Sequence, residues 1–339
     1  MIVTNMTGSA LLGPGPVFSF IEGEAMELKP FKTYQEQVEI LRGRGMRIGD
    51  ASFAEEKLRT RNYYRLSGYW YPFRIMSTDR SHRLDKFCEG AAFSDVLALY
   101  DFDAELRAAV YHELALIESA IRALIGHSLG AVSPSCHTSA KLLGSTAWDS
   151  TRRRPDKKYL KWLEKYGKQV ERSKREDFVK HHMSVYGKEL PVWAAVEVMD
   201  WGLLSFLYGF APQRSQTQIA GSVGLSGAQL GSWLKCLNVV RNVVAHHGRL
   251  YNRVFDIKPK LPNVSLRDEF AGVTPNRNRA FDQLTLIQYL LWKLRLGDGR
   301  LLPSVLLQFP DNPVVPITHT GAPRNWKACP LWRPGGFDA

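Results

Sequence analysis

The sequence predicts an all-α protein, a helical bundle with an N-terminal helical annex and an extended C-terminal tail. Three observations carry this. Apolar residues recur every three or four positions over residues 99–124, as one buried helical stripe requires. Three further segments, 192–210, 230–244 and 281–294, repeat the pattern. No stretch alternates long enough for a clear strand, and no internal repeat is visible.

The elements follow in order. Residues 1–28 are rich in Gly, Pro and Ser, lack periodicity and read as a flexible arm, with Met26 an alternative natural start. Thr33 caps a helix to about Arg42, with Glu36 completing a capping box. A second short helix covers about 52–61, and an aromatic segment, RNYYRLSGYWYPF, follows from Arg61. Together these make an annex over 29–90.

The bundle spans 91–300. Its main helix carries the stripe Leu99, Phe102, Leu106, Val110, Leu114, Ile117, Ile121 and Leu124, with Glu118 and Arg122 paired at i, i+4. Gly130 and Pro134 end it. Pro191 opens the next helix, read as continuous through Val192, Val196, Met199, Leu203, Phe206 and Phe210. The last two stripes are Leu230, Trp233, Leu234, Leu237, Val244 and Phe281, Leu284, Ile287, Leu291, Leu294.

A basic insertion occupies about 150–180, where Tyr159, Trp162, Leu163 and Tyr166 recur at helical spacing opposite a basic face. Residues 301–339 form a Pro/Gly-rich tail, extended from Pro310 onward and either docked or disordered.

Composition narrows the class. In 339 residues, 45 Lys and Arg outnumber 33 Asp and Glu, a net charge of +12 that points to a polyanionic partner or to plain solubility. Hydrophobic residues at 45% exclude wholesale disorder. No run of about 18 apolar residues suggests a membrane span, and the N-terminus lacks a signal-peptide pattern. Cys88, Cys136, Cys236 and Cys329 lie far apart without CxxC spacing. They argue against a disulfide framework or cysteine zinc site and for reduced thiols in the cytoplasm. There is no GxSxG, Walker A, GxGxxG or HExxH motif, and no carboxylate spacing of a glycosidase. The pairs His181-His182 and His246-His247 are poor chelates, because neighbours on a helix point apart. No metal or cofactor is expected.

The chemistry concentrates at the end of the fourth stripe, where the chain reads RNVVAHHGRLYNR over 241–253. Asn242 and His246 share a face at i, i+4, and Arg249 follows one turn later if the helix continues. Arg241 and His246 lie about 140° apart around the axis, so they flank a groove rather than stack. This set suits RNA cleavage without metal. An imidazole titrating near neutrality can take the 2′-hydroxyl proton or give one to the leaving oxygen. A guanidinium grips the phosphate bidentately. Asn242 can orient either partner, and the product would carry a 2′,3′-cyclic phosphate.

Arg241-Asn242 followed by His246 resembles the R-N-x3-H form of the RX4–6H signature of HEPN ribonucleases. The longer string resembles abortive-infection (Abi) proteins of the AbiD/AbiF type. RNYYRLSGYWYPF, YDFDAELR leading into IESAIR, and PVWAAVEVMDWG agree in order, so the likeness spans about 29–296. Spacing alone is weaker, because Arg107 with His112, Arg122 with His127 and Arg175 with His181 also fit it. The chain departs mildly where the family often has Cys (Val244 here) and Trp (Tyr251 here).

The resemblance implies a HEPN-type bundle, a homodimer whose two motifs form one groove, and arrest of phage-infected cells. It also implies kinship with the HEPN ribonucleases of type VI CRISPR effectors and, in some members, a bound small non-coding RNA. Such an enzyme needs restraint, by an RNA or a protein, until a phage-derived trigger appears.

The expected catalytic residues are Arg241, His246 and Asn242. His247, Arg249 and Arg253 are secondary RNA contacts. Arg59, Arg61, Arg65 and Arg74 are candidate phosphate contacts beside aromatics that either stack bases or pack the annex. Arg152, Arg153, Arg154, Lys157 and Lys158 either bind RNA or form a solvated face. Two other readings stand beside the endoribonuclease: an RNA-binding scaffold that holds a small RNA without cutting it, and a protein–protein inhibitor of phage replication.

Overall fold

A computed structural model describes residues 28–187, 189–262, 268–270 and 277–337. The fold is all-α, and the stretch expected to be a flexible arm, residues 1–28, lies outside the described residues except for Leu28. The annex comprises α1 (Tyr34–Gly43), α2 (Ala51–Arg61) and α3 (Tyr63–Trp70). Thr33 and Glu36 close the expected capping box of α1, and Asp50 caps α2 through the amides of Ser52 and Phe53. A hairpin, β1 (Arg74–Met76) with β2 (Arg83–Phe87), leads to the long α4 (Phe93–Gly130). Arg47 ties the annex to the start of α4: its amide donates to the Ala91 carbonyl at 2.9 Å, and its carbonyl accepts from Phe93 at 2.9 Å.

The 38-residue α4 is the axis of the bundle. Its stripe from Leu99 to Ile121 is buried, each large aliphatic contributing about 1.5–3 kcal/mol. Against it pack α3, α7 (Val192–Ala195), α10 (Gly227–Ala245), α11 (Ala280–Leu294) and α12 (Leu301–Leu307). Between α4 and α7 lie a second hairpin, β3 (Trp148–Asp149) with β4 (Arg154–Pro155), then α5 (Lys157–Arg172) and α6 (Asp177–Val185). Helices α8 (Trp201–Phe210) and α9 (Gln213–Gly221) precede α10. The amphipathic reading of the insertion holds for α5: Tyr159, Trp162 and Tyr166 are buried, and the lysines face outward.

Two expectations need correction. The helix expected over 192–210 is broken. After α7 and one 3-10 turn, Met199 is extended and the Asp200 carboxylate accepts the Leu203 amide at 2.8 Å, starting α8 afresh. An N-cap aspartate satisfies orphan amides that a continuous helix would not expose. The restart shifts the helical phase, which leaves Phe206 52% exposed while Leu204 and Leu207 are buried.

The second correction concerns the C-terminal tail, which docks on α11; the expected stripe of α11 is itself buried, Leu294 only partly. Asp282, Gln283, Thr285 and Gln288 are buried as well. The C-terminal stretch covers this polar face with 3-10 turns instead of a purely extended chain. Gln288 donates to the carbonyls of Gly299 and Leu331, and the Trp332 indole donates to Thr285 and stacks on Phe281.

His137 lies in the 3-10 turn Cys136–Thr138 after α4 and faces Tyr166 of α5. It is fully buried, with Nε2 3.2 Å from the Tyr166 hydroxyl and Nδ1 unpaired. Burial pulls its pKa down from 6.5 to about 4. The folded state therefore resists protonation that the unfolded chain accepts. Stability is complete above pH 6.5 and falls by up to about 3 kcal/mol as pH drops towards 4. Urea midpoints across that range should show a slope that His137→Gln flattens.

Candidate functional site

Helix α10 begins at a capping box, Ser226 with Gln229, and buries Leu230, Trp233, Leu234, Leu237, Val240 and Val244. It ends at Ala245, so Arg249 is not on a further helical turn. His246 is the C-cap. The His247 amide donates to the Val244 carbonyl, and the Gly248 amide to that of Val243 at 2.7 Å. This is a Schellman closure, which normally places glycine where His247 stands. His247 has φ 55°, a left-handed conformation costing a side-chain-bearing residue about 1–2 kcal/mol.

Two other sequence motifs hold the segment after the helix. From α4, the Asp103 carboxylate accepts the amides of Leu250 (3.1 Å) and Tyr251 (2.7 Å) and the Tyr69 hydroxyl (2.7 Å). It also pairs with Arg107. Burial pushes the Asp103 pKa up, while the Arg107 guanidinium and these hydrogen bonds oppose that rise. From α3, Arg65 donates to the His247 carbonyl at 2.7 Å, and Arg249 reaches back to the Gly68 carbonyl. Tyr69 stacks on Tyr251 at 6.0 Å. RNYYRLSGYW, YDFDAELR and RNVVAHHGRLYNR, up to about 180 residues apart, thus meet in one knot.

Gly68 belongs to this knot, because a Cβ there would stand 2.5 Å from Arg249 Nη1. Gly68→Ala should therefore forfeit the roughly 1 kcal/mol of helix propensity it would otherwise gain. In a double-mutant cycle by chemical denaturation, it should couple to Arg249→Ala instead of adding to it.

Arg241, Asn242 and His246 behave differently. Their side chains make no hydrogen bond or ion pair among the described residues. Asn242 and His246 are exposed, and Arg241 is half-buried. Arg241 lines a groove of about 550 Å³ between α4, the α5–α6 junction and the break at Met199–Asp200. The groove also holds Arg122, which is bound to Glu118 and to the Met199 carbonyl. Glu176, Glu197 and Asp200 make its charge mixed. His246 is not among the lining residues of this groove.

The remaining candidates divide. Arg61 pairs with Asp101 at 3.1 Å and, with Arg65, flanks the Tyr100 ring. Arg74 pairs with Asp85, and Arg253 lies over Phe255. Arg59 is exposed. Tyr69, Trp70 and Phe73 are buried core, leaving Tyr64 and Tyr71 as the exposed aromatics of that segment.

Arg152 pairs with Asp149, and Arg153, Arg154, Lys157 and Lys158 are exposed at the second hairpin and the start of α5. Of the other spacing matches, Arg107 and Arg122 are tied within α4. Sequence reasoning did not single out Asp103 or Tyr69 as site supports. The one signal was their place inside the quoted motifs.

Among the described residues, no group of three or more His, Cys, Asp or Glu is arranged to hold a metal ion, and the four cysteines are free. No helix there is long and apolar enough to cross a membrane.

The family model described as Abi-like protein matches residues 56–252, more than half of the chain. No curated protein and no solved structure matches it.

Proposed function

We propose that this chain, which belongs to the Abi-like protein family and is a bacterial abortive-infection protein, acts as a metal-independent endoribonuclease of the AbiD/AbiF type with a HEPN motif. One observation carries the reading. Around the end of α10 Arg65, Asp103, Arg107 and Arg249 are tied down, while Arg241, Asn242 and His246, with the exposed His247 imidazole beside them, have no side-chain partner among the described residues. A segment clamped this firmly that leaves a guanidinium, an amide and an imidazole unused is built to present them.

His246 takes the proton of a ribose 2′-hydroxyl. The freed oxygen attacks the adjacent phosphorus, and the bond to the 5′-oxygen breaks. That oxygen collects a proton, leaving 2′,3′-cyclic phosphate and 5′-hydroxyl ends. Arg241 offsets the charge growing on the phosphate. Because the two side chains diverge within one copy, a homodimer completes the groove, with Arg241 of one copy facing His246 of the other. Action in the cytoplasm on RNA, with restraint lifted by a phage-derived trigger, fits this role.

The test is cleavage of RNA by the purified protein in EDTA, with analysis of the ends. Cyclic ends that disappear in His246→Ala support the reading, and cleavage that survives in the variant refutes the site. A second reading, a scaffold that holds a small non-coding RNA uncut, is favoured by the outward lysines of α5 and the exposed Arg153, Arg154, Lys157 and Lys158. It expects one RNA species to co-purify and to be lost at high salt.

A further inference from the structure

A second cavity, of about 470 Å³, lies beyond the Arg241 groove along α6. Its walls are Pro134, Leu190 and Pro191, with the rings of Trp193, Tyr186 and His182, and its polar groups include Glu189 and Ser135. Trp193 is 50% and Tyr186 70% exposed, whereas Trp70, Trp233 and Trp332 are completely buried.

Trp193 is supported from beneath. A Cβ on Gly126 would stand 3.1 Å from its Cα, and one on Gly130 would stand 3.0 Å from its Cε3. Glycines within a helix cost about 0.5–1 kcal/mol each relative to alanine. Here they let the indole rest on α4 while half of it stays open to the cavity. Glu189 makes no hydrogen bond or ion pair among the described residues.

We infer that this cavity takes a single unstacked guanine base, stacked on Trp193 and Tyr186 and read by Glu189. Exposed aromatics suit the π-face of any base, and the carboxylate supplies the choice. It only accepts hydrogen bonds, and guanine presents two adjacent donors, its ring N1–H and its exocyclic amine. Adenine and cytosine offer a single amine beside an acceptor, and uracil a single ring N–H. The Ser135 hydroxyl can donate to an acceptor on the same base.

The site rests on the RNA reading above but not on cleavage. Phe178 lines the Arg241 groove and Tyr186 lines this cavity. The two are eight positions apart, about 12 Å along the helix direction. A strand held at Arg241 therefore reaches the cavity within a short distance, which would fix the sequence near the cut.

Calorimetric titration of the full chain with GMP, AMP, CMP and UMP tests the assignment. GMP should bind at least about tenfold more tightly than the others. Trp193→Ala should weaken it by about tenfold or more, as loss of one stacking platform does. Glu189→Gln, on an exposed side chain, should bind but lose the preference for guanine. No binding by the wild type, equal binding of all four nucleotides, or GMP binding untouched by both variants would overturn the proposal. So would a Trp193→Ala change that alters only the oligomeric state, since the cavity would then seat a protein.

The pentamer UUGUU, compared with UUAUU and with GMP, identifies the source. Tighter binding of UUGUU than of GMP places the guanine in RNA, and equal binding places it on a free nucleotide. Either result supports a guanine site. Because the readout is binding, it stands whether or not His246 cuts RNA.

Discussion

His246→Ala is expected to lower RNA cleavage by about 10²–10⁴-fold, the usual contribution of a positioned general acid or base. Arg241→Ala should cost about 10²–10³-fold, as loss of a group that stabilises the charged transition state does. Arg241→Lys should fall between Arg241→Ala and wild type, because it keeps the charge but loses the planar fork that grips two phosphate oxygens. All three variants should unfold within about 0.5 kcal/mol of the wild type, since neither side chain has a partner to lose. Single-turnover cleavage beside urea denaturation separates the two effects. A large loss of stability in His246→Ala would mean that the imidazole is structural. If the groove is shared between copies, mixing Arg241→Ala with His246→Ala should restore part of the activity that each lacks alone.

Asp103→Ala should have the opposite profile, with stability failing first. The carboxylate is fully buried, and removing it leaves Arg107 uncompensated and the Leu250 and Tyr251 amides without an acceptor. Breaking one side of a buried pair costs about 3–5 kcal/mol, a large share of the total stability of a typical domain. Asp103→Asn keeps an acceptor for the amides but not the charge facing Arg107, so its loss should be smaller. Cleavage should fall in both variants, because the segment that carries His246 loses its hold on α4. An Asp103→Ala protein that unfolds at the wild-type urea midpoint would show that the knot is not what fixes this segment.

The broken helix and the docked tail show how a pattern can be legible while its continuity is not. Apolar spacing over 192–210 is the same whether the chain runs on or restarts. What decides is whether Asp200 finds an amide to cap, and that depends on how α7 seats against α4. The break matters for function, because Met199 and Asp200 form a wall of the groove that Arg241 enters. Likewise, nothing in the sequence marks the polar residues of α11 as buried; the C-terminal turns cover them by bringing Trp332 onto Phe281 and Thr285. Contacts across tens of residues leave no periodic trace.

By itself the sequence determined the all-α class, the long α4, the basic outer face of α5 and the family, because helical periodicity and motif strings are local properties of the chain. It also singled out Arg241, Asn242 and His246. Only the tertiary structure decided which charged residues near them are free. In the sequence, Arg241, Arg249 and Arg65 are all candidate RNA contacts, and Arg107 shares the spacing of Arg241 to a histidine. In the fold, Arg65, Arg107 and Arg249 are spent on a carbonyl, a buried carboxylate and another carbonyl, and Arg241 is left open. The physical reason is that a buried polar group must find a partner, and the fold alone dictates which partner lies within reach.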